Sequence, residues 1–474
     1  MSETLETAAP PALVEQRMGG RRLAAVLAAV GIPMFMVTLD NLVVTNALPV
    51  IRTELGASLA DLQWFVNAYT LSFASLLLTA TSIGDRLGRR RVFLSGIALF
   101  TLASAACALA TEPWMLIAAR AVQGFGAAAV MPLSLTLLSS AVPEKMRSAA
   151  IGIWGGISGL GVALGPLIGG AVVEGLSWQW IFWINVPIGV LVLPFAARVL
   201  SESHGRAKRL DPLGLLLSAG GVLSVVWGVI HGADDGWTST GVLSTLIGGA
   251  VLLGLLIAWE LRTPDPMLPL RLFRSRAFRV SNATGFTFAV GVFGSIFLLA
   301  QYFQVVQGYG PLQSGIRTMP WTMAPMVVAP LAGLIVDRVG ARTLLTAGQI
   351  LLAVALGWMA AVTSVDASYG AFVGPFLLGG IGMGLTFAPG STVVMASASA
   401  EDRAMASGTN STIREVGVAM GIAVLASVFA SHGSYTDPQS FVDGLIPAVW
   451  VGAAIVAVGA VLSRLLPSRV TAVD

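Results

Sequence analysis

Fourteen apolar runs, each of about 20 residues or more, follow one another along this 474-residue chain and leave it few folds to adopt. They fall at roughly 23–49, 61–82, 92–110, 114–141, 149–173, 179–199, 212–231, 239–259, 280–304, 315–336, 343–363, 370–396, 406–430 and 443–466. Backbone in lipid must pair its own N–H and C=O groups, so each run is predicted to be a membrane-spanning helix. The period-two alternation of a membrane barrel strand is missing. Composition agrees: 55% of residues are hydrophobic and 11% charged, where soluble proteins carry about 25% charged residues. A soluble enzyme and a disordered chain are excluded, and so is a disulfide scaffold, since Cys107 is the single cysteine. A net charge of +3 leaves no footprint for nucleic acid.

The distribution of charge tests the count of spans. With the N-terminus placed in the cytoplasm and sides alternating, the cytoplasmic segments hold 23 of the 27 Lys and Arg residues. The opposite side holds only Arg52 and Arg317, and Arg120 and Arg414 lie inside spans. Every loop then obeys the positive-inside rule, with both termini cytoplasmic, and removing one span would reverse all later loops. Residues 1–22, with three Glu and three Arg, read as a solvated cytoplasmic tail rather than a cleaved signal.

An internal repeat divides the chain. Gly84-Asp85-Arg86-Leu87-Gly88-Arg89 follows the second span, and Asp337-Arg338-Val339-Gly340-Ala341-Arg342 follows the tenth. Both are D-R-x-G-x-R in a short cytoplasmic loop. Six spans surround each copy and two lie between. This predicts an N-terminal half at 23–200, a two-helix insertion at 201–262 beside the halves, and a C-terminal half at 263–474, with a central cavity between halves. The loop reads as a gate. Its glycines permit tight turns, and Asp85 can accept hydrogen bonds from a helix N-terminus or an arginine. Arg86, Gly88, Arg89, Asp337 and Arg338 complete the two copies.

The chain resembles the major facilitator superfamily, in particular its fourteen-helix drug:proton antiporter branch. The loop is similar to the family's G-x-x-x-D-R-x-G-R-R, although Thr81 stands where the first glycine is usual. Leu39-Asp40-Asn41-Leu42-Val43-Val44-Thr45-Asn46-Ala47-Leu48-Pro49 resembles the branch's first-span pattern, departing from it at Leu42 and Thr45. Span 4 carries Arg120-Ala121-Val122-Gln123-Gly124-Phe125-Gly126. Span 5 carries Gly152 and then Gly161, Gly165, Pro166, Gly169 and Gly170, similar to the antiporter signature. The resemblance implies an all-α polytopic protein with fourteen helices arranged 6+2+6. It also implies that Asp40 and Arg120 both serve proton coupling.

The residues carry their own argument. Asp40 sits inside an apolar span, where a charge costs about 2.5–3.5 kcal/mol or more, so it binds a proton or faces a polar site. It is either a proton carrier or a structural carboxylate. Arg120 stays protonated and can only set the field at a carboxylate; whether the two touch is open. The glycines at 161, 165 and 169 form one stripe, expected to make a tight seam between the halves, with Pro166 kinking the helix. Arg414 and Glu415 are neighbours pointing about 100° apart and are not expected to pair along the helix. Glu415 is a second candidate for protonation or cation contact, or a member of a structural ion pair. Met36, Tyr69, Gln123, Trp154, Phe293, Phe297 and Met323 are candidates for the cavity lining, since Met repacks and aromatic faces attract lipophilic cations. Trp178, Trp180 and Trp183 read as interfacial anchors.

No Lys follows a Gly, so there is no P-loop and ATP is not the direct energy source. The three histidines are isolated and give no metal spacing. The expected protein is therefore not an enzyme and needs no cofactor. It is expected to be a monomeric, multi-pass proton antiporter of the bacterial cytoplasmic membrane. It would export amphipathic, cationic drugs by rocker-switch alternating access, driven by the proton gradient, its partners being small molecules, protons and lipid. Export of one endogenous product, such as an antibiotic or lipid, is the alternative; uptake by symport is a further one.

Overall fold

The computed structural model describes residues 20–204, 211–232, 235–264, 266, 270–399 and 403–467. Its regular elements are helical. In the N-terminal half run α1 (Gly20–Leu55), α2 (Leu59–Leu87), α3 (Arg89–Ala108), α4 (Pro113–Ala141), α5 (Glu144–Gly175), the short α6 (Trp180–Trp183) and α7 (Asn185–Val199). The insertion is α8 (Pro212–His231) and α9 (Thr240–Glu260). The C-terminal half is α10 (Arg276–Val305), α11 (Pro311–Val339), α12 (Ala341–Val362), α13 (Gly370–Ala396), α14 (Arg403–His432) and α15 (Pro438–Ser463). Among the described residues thirteen helical segments are long and apolar enough to cross a membrane, α6 and α7 making one of them. The count is fourteen when α2, bent by 50° between Leu77 and Thr79, is taken as one span.

The helices outrun the apolar runs because polar caps extend them. Ser58 opens α2 with a capping box: its hydroxyl accepts from the Asp61 amide at 3.1 Å, and Asp61 accepts from the Ser58 amide at 2.9 Å. Ser239, Ser275 and Asp437 cap α9, α10 and α15 in the same sense. The two D-R-x-G-x-R copies turn the chain alike: Gly88 (φ +110°) joins α2 to α3 and Gly340 (φ +88°) joins α11 to α12. Only glycine takes such angles without strain, which accounts for the motif glycine.

The packing repeats in the two halves. Helix α3 lies on α4 and α12 on α13; α2 on α4 and α11 on α13; α1 on α5 and α10 on α14. The halves meet through two equivalent seams, α5 on α11 and α2 on α14. The insertion stands against the second of these: α8 touches α2 and α14, and α9 packs on α8. Trp178 is not an interfacial anchor. It is fully buried and donates its indole N–H to Glu54 at 2.9 Å, because α1 runs past the apolar stretch and brings that carboxylate to it. Trp180 is exposed, as an anchor would be.

Candidate functional site

Asp40 and Arg120 meet inside the N-terminal half. Asp40 Oδ2 lies 2.5 Å from Arg120 Nη1, with the two side chains 1% and 0% exposed. Asp40 Oδ1 accepts from Gln123 Nε2 and from Asn185 Nδ2, both at 2.9 Å. Arg120 also donates to the Phe65 carbonyl at 3.0 Å and to Gln123 Oε1 at 2.6 Å, and lies 4.2 Å from the centre of the Tyr69 ring. Ser104 closes the group, accepting from Gln123 at 2.7 Å and Asn185 at 3.1 Å. Helical spacing sets this up: Arg120 and Gln123 share a face of α4, while α1, α2, α3 and α7 each supply a partner. The site is a buried ion pair with its carboxylate saturated by donors, the arrangement that such a pair needs to survive in low dielectric. Asn185 and Ser104 were not candidates from sequence. Asn185 had a signal, as an amide in the interior of an apolar span; Ser104 had none.

Helix α1 joins this group to the seam between the halves. Asn46, a turn and a half beyond Asp40, donates to the Pro166 carbonyl of α5 at 2.8 Å. Its own carbonyl accepts from Gln304 of α10 at 2.8 Å. The span 5 stripe corrects the sequence expectation. Gly161, Gly165 and Gly169 face Thr38, Leu42 and Val43 of α1, so they make a seam within the N-terminal half. The contact between halves is made one residue further round. Gly170 lies against the backbone of Pro311 and Leu312 in α11, and Gly315 of α11 against the Pro166 carbonyl. A stripe of small residues marks a close approach, and its partner is set by rotation of the whole helix. Helix α5 runs continuously through Pro166.

Further contacts between the halves cluster at the end away from the D-R-x-G-x-R loops. Glu174 accepts from the Leu312 amide at 3.0 Å, and the Arg52 guanidinium lies 3.8 Å from the centre of the Tyr435 ring. Tyr435 in turn donates to Gln301 at 2.5 Å. At the opposite end Asp85 takes the arginine option, pairing with Arg89 at 2.7 Å. The helix N-terminus goes to Glu202, which accepts from the Arg90 and Arg91 amides of α3 at 2.9 and 3.3 Å. Those bonds stay within the N-terminal half. Arg86 and Arg338 are exposed, and the Asp337 side chain lies outside the described residues. Glu202 was not foreseen, being one acid in a loop of basic residues.

An apolar cavity lies between the halves. Its walls include Leu42, Asn46, Phe293, Trp321, Phe376 and Met383, and none of its lining residues is charged. Of the seven lining candidates, Phe293 lines this cavity. Met36, Tyr69 and Phe297 are buried in the cores of their halves, and Gln123 is bonded to Asp40. Trp154 donates to Ser134 at 3.0 Å and packs on the N-terminal core, and Met323 is half-buried. Spacing along one helix does not say which residues a neighbouring helix covers, so Met36, Tyr69 and Phe297 misled. Arg414 and Glu415, in α14, do pair, at 3.3 Å. The arginine side chain is long enough to curl over the 100° between adjacent positions. Asn410 donates to Asn282 of α10 at 3.1 Å.

Comparison with known proteins bears on the same architecture. The family model described as Major Facilitator Superfamily matches residues 30–421 and, in a second match, 318–472. The chain belongs to the Major Facilitator Superfamily. It is 40% identical over 412 residues to the multidrug resistance protein Stp of Mycobacterium tuberculosis, covering 86% of this chain and 76% of that one. It is 37% identical over 441 residues to the cephamycin export protein CmcT of Amycolatopsis lactamdurans, covering 92% and 90%. Among solved structures it resembles, at a TM-score of 0.68 and 16% identity, a bacterial homologue of the human lysosomal transporter Spinster, over 95% and 98% of the two chains. This superfamily member is thus a multi-pass membrane transporter and not an enzyme. The two six-helix halves around a cavity are the superfamily's fold, here with α8 and α9 added between them.

Proposed function

We propose that this transporter exports amphipathic small molecules from the cytoplasm in exchange for protons, with Asp40 as the coupling carboxylate and Arg120 as its counter-ion. The observation that carries the reading is the 2.5 Å ion pair buried in the membrane interior. A carboxylate there has two states, paired or protonated, and the proton removes the charge that Arg120 holds. Because α1 bears Asp40 on one face and Leu42, Thr45 and Asn46 on the cavity wall, proton and substrate act on the same helix. That supports opposed biasing of one equilibrium, which exchange requires.

The structure is closed at the Arg52–Tyr435 end, and the positive-inside rule makes that end external. We read this as an inward-facing state, and propose that both termini are cytoplasmic and that the protein acts in the bacterial cytoplasmic membrane as a monomer without a cofactor. The cycle follows from it. Substrate enters from the cytoplasm and Asp40 releases its proton there; the halves rock, substrate leaves outward, and an external proton reloads Asp40. A second reading, a dedicated exporter of one endogenous product, draws on a relative's name, a cephamycin export protein. The test uses inside-out vesicles with an imposed pH gradient and a panel of amphipathic drugs. Substrate-induced collapse of the gradient is expected for the wild type and not for Asp40→Asn. Collapse by one compound class alone supports the dedicated exporter, and collapse that persists in Asp40→Asn refutes the assignment.

A further inference from the structure

Among the described residues the charged side chains at least seven residues from both ends of their helix are Asp40, Arg120, Arg414 and Glu415. The first two are sealed. Arg414 is different: its side chain is 24% exposed, with Glu415 at 10%. Among the described residues its one side-chain hydrogen bond is the 3.3 Å contact to Glu415. A guanidinium has five N–H donors, and among the described residues Glu415 is the one protein acceptor this guanidinium bonds, at a depth where an arginine is costly.

Its side of α14 is turned toward α10 and α13: Asn410, one turn earlier on the same face, bonds to Asn282 of α10, and the guanidinium lies over Phe387 of α13. Helix α14 is packed by α2, α8, α10, α13 and α15. Across from it Gly285 of α10 has open space beside it, with only the Asn410 amide near a would-be side chain, at 3.8 Å. A chain of ring contacts, passing through the buried ring of Phe288, connects Arg414 to the wall of the apolar cavity. The guanidinium lies 5.7 Å from the centre of Phe387, Phe387 lies 5.2 Å from Phe288, and Phe288 lies 6.1 Å from Phe293 on the cavity wall. One aromatic cluster thus borders the uncharged cavity at Phe293 and the cationic Arg414 at Phe387.

We propose that Arg414 is the head-group site of the substrate cavity and that the preferred cargo is an amphipathic anion. Its apolar rings sit between Phe293, Trp321 and Phe376, and its acidic group takes the free edge of the Arg414 guanidinium, where two parallel N–H donors match a carboxylate. This rests on the export reading above and replaces the preference for cations expected from the sequence. No carboxylate lines the cavity among the described residues, and Glu415 is already held by Arg414. Glu415 occupies one edge of the guanidinium and competes weakly with the incoming anion for it.

The test holds the ring system constant and changes the charge. Binding of 1-pyrenebutyric acid, 1-pyrenebutanol and 1-pyrenebutylamine to the full chain in nanodiscs is measured by quenching of tryptophan emission, with empty nanodiscs subtracted. The acid is expected to bind at least about tenfold more tightly than the amine, the margin of one charge-assisted hydrogen bond. Arg414→Gln should erase that preference while leaving the alcohol's affinity within about twofold, and Arg414→Lys should keep most of it. Glu415→Gln, by freeing the guanidinium, should tighten the acid alone. Tighter binding of the amine, no binding of any probe, or an acid preference that survives Arg414→Gln overturns the assignment. If Arg414→Gln loses all three probes through misfolding, the Glu415→Gln result decides: tighter acid binding upholds the site and unchanged binding overturns it. Acid preference without pH-gradient-driven movement in proteoliposomes upholds the site and refutes the export reading instead.

Discussion

Replacing Arg120 by Gln removes the counter-ion of a carboxylate that is 1% exposed. Breaking a buried pair from one side costs about 3–5 kcal/mol, because the remaining charge keeps its desolvation penalty without its Coulomb partner. Loss of the guanidinium over the Tyr69 ring adds about 0.5–2 kcal/mol. Asp40→Asn should cost less, since Arg120 keeps the Phe65 carbonyl and Gln123 Oε1 as acceptors at 3.0 and 2.6 Å. The double variant leaves no charge in the cluster, and the two introduced amides can bond to each other. It should recover at least half of the Arg120→Gln loss, about 2–3 kcal/mol, and the coupling in the cycle exceeds that recovery by whatever Asp40→Asn costs alone. Reversible unfolding in mixtures of dodecyl maltoside and SDS, followed by tryptophan emission, provides the four free energies. A double variant no more stable than Arg120→Gln, or an Arg120→Gln cost below about 1 kcal/mol, would show that the pair is solvated or already neutral in the folded protein and would refute this reasoning.

Further expectations concern the seam, the outer end and a cap. A side chain at Gly170 meets the backbone of Pro311 and Leu312, whereas one at Gly155 meets nothing within 4 Å; Gly170→Leu should abolish transport at normal membrane abundance and Gly155→Ala should not, as drug efflux from whole cells will show. Arg52→Ala removes a cation–π contact that bridges the halves and is worth about 1–2 kcal/mol, so opening of the external end should rise several-fold, read as faster maleimide labelling of a cysteine placed at Thr45. Asp437 accepts from the Ser440 amide at the start of α15, which holds its carboxyl below the ordinary carboxylate range. The stability it contributes is present above the ordinary value and is lost as pH falls through its lowered value. The gap in thermal midpoint between wild type and Asp437→Asn should therefore close in acid.

Much of the fold was legible because lipid leaves helices little choice. The apolar runs, the charge asymmetry and the repeated D-R-x-G-x-R loop together implied two six-helix halves with a pair of helices between. Asp40 and Arg120 stood out because each is a charge in an apolar span. Their partners were less legible: Asn185 stood out only as an amide inside an apolar span, and Ser104 differs from an ordinary packing residue only by where α3 places it. The span 5 stripe announced a close approach without naming the neighbour, which is α1 for Gly161, Gly165 and Gly169 and α11 for Gly170. Met36, Tyr69 and Phe297 failed as lining candidates for the same reason. Tyr69 and Phe297 are aromatic at the expected depth, and only the rotation of α2 and α10 sends them into the core. Arg414 with Glu415 shows the converse, since side-chain reach overrode the angle between adjacent helical positions.

The central claim, that Asp40 carries the exchanged proton, is most directly tested on purified protein in lightly buffered detergent solution with a pH-sensitive dye. Addition of a bound amphipath is predicted to release about one proton per wild-type molecule and none from Asp40→Asn, with binding retained in both. Equal release from the variant, or none from the wild type despite binding, would contradict the account.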